Sequence, residues 1–71
     1  MTLELINKDW EINIYKVEYN RGVQVATLLV SLITEANHRS QLFIEAYNYV
    51  SKHYSKEIQD KVKVEFIEII E

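Results

Sequence analysis

Val62-Lys63-Val64-Glu65-Phe66-Ile67-Glu68-Ile69-Ile70 can be read in two ways, and the choice between them sets the fold. Read as a helix capped by Ser55, the surrounding segment places Ile58, Val62, Phe66, Ile69 and Ile70 on one stripe. Read as a strand from Lys61, Val62 to Phe66 alternates β-branched and aromatic residues with charged ones. The strand is the preferred reading. An isolated two-stranded hairpin is marginal in water, whereas a third strand with helix packing forms a sheet that can hold.

Earlier in the chain, Trp10 to Tyr19 alternates in the same way and slips phase once, at Ile14-Tyr15, as the later segment does at Phe66-Ile67. Successive side chains of a strand point to opposite faces, so Trp10, Ile12 and Ile14 share one face while Tyr15, Val17 and Tyr19 share the other. Val62, Val64 and Phe66 are likewise opposed to Ile67 and Ile69. Each strand then needs a β-bulge that restores its facing, or apolar cover on both sides of the sheet. A chain of 71 residues has few elements with which to cover two faces, which points to a partner chain.

The remaining elements follow from turn residues and periodicity. Asn7-Lys8-Asp9 suits a tight turn joining Thr2–Ile6 to Trp10–Tyr19 as a β-hairpin. Asn20-Arg21-Gly22 breaks the strand, and a helix is expected over Val23 to Glu35, where Val25, Ala26, Leu28, Leu29, Val30, Leu32 and Ile33 would surround it nearly all the way round. A buried strand is the competing reading, and the length of the run favours the helix. Asn37 can cap a second helix whose Leu42, Phe43, Ala46, Tyr47, Tyr49, Val50, His53 and Tyr54 fall within one broad arc, with Ile44 an apolar outlier on the polar side. On this reading Tyr47, Tyr49 and Tyr54 anchor the helix to the sheet. The expected fold is α+β, in the order β-β-α-α-β, with a three-stranded antiparallel sheet and two helices packed on one face, forming a single domain over residues 1–71. An N-terminal β-hairpin followed by three helices is the alternative.

Composition narrows the function more by exclusion than by recognition. A hydrophobic fraction of 48% with 27% charged residues is that of a folding globular chain. Without cysteine, neither a disulfide nor a thiolate metal site can add stability. The N-terminus lacks a basic start followed by an apolar run, so the default expectation is a cytoplasmic protein, and Val23 to Ile33 is too short and too interrupted to span a bilayer. The net charge of −3, with both signs interspersed, disfavours non-specific nucleic-acid binding, which relies on a clustered basic face. Compact acidic chains without proline or cysteine are also associated with phage and mobile elements, although no physical argument stands behind that association.

Chemistry-bearing constellations are sparse. No glycine-rich loop is available to cradle a phosphate, no serine sits in a His-and-acid pattern, and His38 and His53 are separated by about four helical turns, or roughly 22 Å. The expectation is a protein that is not an enzyme and takes no cofactor or metal. The composition that stands out is five tyrosines with Trp10, Phe43 and Phe66. Such residues fill thin cores, and they also join large apolar area to a polar tip at binding surfaces. Tyr15, Val17, Tyr19, Arg21, Ile67 and Ile69 form the expected partner-binding set, since the first three lie opposite the Trp10 face and the isoleucines opposite the Phe66 face. The functional expectation is a protein-binding module, acting as an inhibitor, an immunity-type factor or an accessory subunit, and forming a homodimer. Single-stranded nucleic acid stacked on sheet tyrosines is one alternative, and a structural or assembly component is another.

Overall fold

A computed structural model describes residues 7–70 of the chain. They form β1 (Lys8–Asn20), β2 (Val23–Ala36), α1 (Arg39–His53), the single turn α2 (Lys56–Gln59) and β3 (Val62–Glu68). The strands make one antiparallel sheet in the order β2-β1-β3, which gives the expected α+β architecture. The ambiguous C-terminal segment is a strand, and Ser55 caps only the turn before it, its Oγ accepting from the Ile58 N–H.

The same order of elements is reached with different segments. Val23–Glu35 is strand β2, and not the all-round buried helix that its apolar run suggests. Two physical reasons account for this. Val23, Val25, Thr27, Val30, Ile33 and Thr34 are β-branched, and β1 offers a ladder of matching length from Lys8↔Ala36 to Asn20↔Val23. Asn20-Arg21-Gly22 is therefore a hairpin turn and not a helix start. Arg21 at φ 53° and Gly22 at φ 79° both adopt the left-handed region, as a two-residue type I′ loop requires. The earlier hairpin expected through Asn7-Lys8-Asp9 does not form at that turn, because Lys8 and Asp9 belong to β1; Thr2–Ile6 lies outside the described residues. His38, not Asn37, caps α1, its Nδ1 accepting from the Ser40 N–H at 3.1 Å.

The central strand organises the packing. Ile12 and Ile14 of β1 are fully buried beneath Leu42, Ala46 and Val50, which recur every four residues and so form one stripe of α1. Ala36 joins this cluster, and Trp10, Leu29, Val30, Leu32, Val64 and Phe66 border it. Residues paired directly across antiparallel strands share a face. Through Trp10↔Glu68, Ile12↔Phe66, Ile14↔Val64 and Lys16↔Val62, β1 and β3 thus keep strict alternation past both phase slips. The bulge lies in β2 instead. Pairing jumps from Ile14↔Val30 to Tyr15↔Leu28, leaving Leu29 as an extra residue, and Leu29 and Val30 both pack against the core.

This arrangement leaves about the last third of the long hairpin without a third strand. Pairing between β3 and β1 stops at Lys16↔Val62, while β1 and β2 continue to Asn20↔Val23 as a two-stranded ribbon. The molecule measures 55 × 24 × 19 Å. Its radius of gyration is 14.6 Å, where about 11 Å describes a compact chain of this length. The accessible surface is 5778 Å², against about 4,700 Å² for a compact monomer of this mass.

Two substitutions test this account in urea denaturation followed by circular dichroism. Leu42→Ala is expected to cost about 3 kcal/mol through the cavity it leaves over Ile12 and Ile14; a loss under about 1 kcal/mol would detach α1 from the sheet. A Cβ at Gly22 meets no atom within 4 Å. Gly22→Ala should therefore cost only the backbone term of about 1 kcal/mol, and an unchanged midpoint would contradict the type I′ turn.

Candidate functional site

The residues opposite Ile12 and Ile14 form the second face of the sheet, and among the described residues no helix covers it. Register sets its layout in rows across the strands. Ile33 and Ile67 flank Glu11 in one row, while Leu28 and Lys63 flank Tyr15 in another. Between these rows Asn13 lies beside Ser31 and Glu65. Beyond Tyr15, Val17 pairs with Ala26 and Tyr19 with Gln24.

Asn13 is 7% exposed, the buried polar side chain of this face. Its Oδ1 accepts from Ser31 Oγ, and its Nδ2 donates to Glu65 Oε1 at 3.4 Å. Burying an amide without partners is costly, so this row of hydrogen bonds favours the one register that supplies them. It also divides the apolar surface into two patches. One holds Ile33 and Ile67, which are 75% and 42% exposed; the other holds Leu28, Tyr15, Val17 and Tyr19, with Tyr19 74% exposed.

Charge divides along the same axis. Asp9, Glu11 and Glu35 occupy the end near Ile33, whereas Lys63 lies beside Tyr15 and Arg21 sits at the hairpin tip. Glu65 stands between the two ends. An open cleft of about 590 Å³ runs beside Val17, Tyr19 and Gln24 toward the Arg21 end, lined by Lys61 and Lys63 together with Glu18 and Asp60. Lys61 there is 3.8 Å from Glu18, which also meets Lys16 at 3.2 Å. These pairs are well exposed and add little to stability.

The expected binding residues are only partly brought together. Tyr15, Val17 and Tyr19 form one row along β1, and Arg21 follows them at the turn. Ile67 lies opposite Glu11, and alternation carries Ile69 past Asp9, whose carbonyl accepts from the Ile69 N–H at 2.9 Å. The isoleucines are therefore separated from Tyr15 by the Asn13 row. Leu28 and Ile33 complete the two patches. Reading Val23–Glu35 as a helix hides them, although its β-branched residues carry the signal for a strand.

A second apolar area lies on the helix side. Phe43, Ile44 and Tyr47 are exposed on α1, and a groove of about 230 Å³ separates the helix from Val62 and Val64 of β3. Phe43 meets Phe66 edge-on with centroids 4.8 Å apart. Of the tyrosines expected to anchor α1, Tyr49 and Tyr54 border the core, while Tyr47 is 73% exposed and anchors nothing.

The histidines serve local structure. His38 caps α1, and His53 stacks on Tyr49 with ring centroids 4.3 Å apart. Among the described residues, no group of three or more His, Asp and Glu side chains is placed to hold a metal ion, and no helix is long and apolar enough to cross a membrane.

No protein-family model, curated protein or solved structure matches the chain.

Replacing Asn13 by Ala removes both hydrogen bonds of the central row and should cost about 1–2 kcal/mol in urea denaturation. No loss of stability would mean that the row does not hold the strand register.

Proposed function

We propose that this protein is a non-catalytic protein-binding module that works through the second face of its sheet, as an inhibitor or immunity-type factor or as an accessory subunit of a larger assembly. The observation that carries this reading is the exposed apolar surface arranged on one face, with Tyr19, Leu28, Ile33 and Ile67 all open to solvent. Exposed apolar surface gathered on one face marks interaction sites, whereas scattered single residues do not. Tyrosines at such a surface supply area at small entropic cost. Asp9, Glu11, Glu35 and Glu65 share the face with Lys63, which weighs against a polyanion as the partner.

A second reading, that of an assembly component, is favoured by the outer edge of β2, where Glu35 is the one charged residue in fourteen. A long edge strand with so few charges can accept a strand from another chain, and repetition of that contact would give open-ended growth.

The test is affinity capture from the native host followed by mass spectrometry, comparing the wild type with Tyr15→Ala/Tyr19→Ala. A protein held by the wild type and lost by a folded double variant is the expected result. Equal retention would move the site elsewhere, and a variant that no longer folds would place these rings in the protein's own core. Light-scattering mass that climbs without limit with concentration would favour the assembly reading.

A further inference from the structure

The layout of the second face suits one occupant in particular. We propose that two copies of this chain pack these faces together with their strands antiparallel, about a two-fold axis that runs across the strands near Asn13. The inference rests on the protein-binding reading above and names its partner as a second copy.

Charge favours this arrangement. Asp9, Glu11 and Glu35 lie at one end of the face, and Lys63 and Arg21 toward the other. An axis running across the strands reverses one copy end for end, so Lys63 of each copy lies beside Glu11 of the other. An axis running along the strands would set carboxylates over carboxylates, and like charges brought together across an interface are strongly disfavoured. Glu65 falls near the proposed axis, close to its own counterpart, and Lys63 of each copy stands two residues along the same strand to offset it.

Apolar surface favours it as well. The same axis lays Leu28 of each copy over Ile33 of the other, with Tyr15 over Glu11 and Lys63 over Ile67, because these rows are equally spaced on either side of Asn13 along β1. Sheets packed face to face in this way sit about 10 Å apart with strands within about 30° of alignment.

The accessible surface exceeds that of a compact monomer by on the order of 1,000 Å², and pairing these faces would remove part of that excess.

Charge reversal with mixing tests the arrangement by sedimentation equilibrium. The wild type should sediment at twice its 8.5 kDa monomer mass in the micromolar range. Lys63→Glu and Glu11→Lys should each weaken the dimer roughly tenfold or more, through like charges at both symmetry-related positions. An equimolar mixture of the two variants should recover it, since positions 63 and 11, neighbours across the interface, are then opposite in sign. Ile33→Asp, at a side chain already exposed in the single chain, should also dissociate the dimer and serves if Glu11→Lys does not fold.

A monomeric wild type, a dimer indifferent to these changes, or folded variants whose mixture recovers nothing would each overturn the proposal. A monomer that still captures a host protein through Tyr15 and Tyr19 would overturn self-association alone and leave the protein-binding reading standing. Failure of both measurements would remove both.

Discussion

The structure depends on the contact between Ile12 and Ile14 of the central strand and the Leu42–Ala46–Val50 stripe of α1. It is where the sheet and the helix exclude water together, and each of the three strands contributes residues to its border. A single helix of four turns cannot shelter a hairpin of thirteen- and fourteen-residue strands. At about 1.5 Å per residue the helix runs roughly 22 Å, while a strand of similar residue count at about 3.4 Å runs more than twice as far. The hairpin therefore outruns its cover, and the elongated shape follows from the ratio of those two rises.

From the same limit comes the second face. With one helical layer, a three-stranded sheet is covered on one side, and the other keeps whatever side chains alternation assigns to it. In β1 these are Tyr15, Val17 and Tyr19 together with Glu11 and Asn13. A face meant only for solvent would be uniformly polar, and a face meant only for a core would be uniformly apolar. This one alternates patches, with a hydrogen-bonded amide row between two apolar rows and opposite charges toward opposite ends. Such a surface favours a partner whose pattern is complementary in both sign and spacing.

Much of the fold was legible in local pattern. The alternation of Val62 to Phe66 points to β3 and the arc of Leu42, Ala46 and Val50 to α1, because each pattern keeps one period over several successive residues. Val23–Glu35 misled for the opposite reason. Its bulge at Leu29 puts adjacent residues against the core, so that the run matches neither the strand period nor the helix stripe, and it reads as apolar on every side. Placing it as a helix also hid Leu28 and Ile33, which complete the candidate site.

By itself, the sequence determined the class of fold and the opposition of Trp10, Ile12 and Ile14 to Tyr15, Val17 and Tyr19. These are consequences of side-chain direction and residue type, which act over a few neighbours. Only the tertiary structure decided which strands pair, that the bulge sits in β2, and that Ile67 stands across Glu11 from Ile33 while the Asn13 row keeps it apart from Tyr15. Strand register is a relation between distant segments, and one residue of shift moves a whole strand's side chains to the opposite face. No local pattern carries that information; it arises when Ile12 and Ile14 find their places under α1 and the ladders on either side are drawn into line.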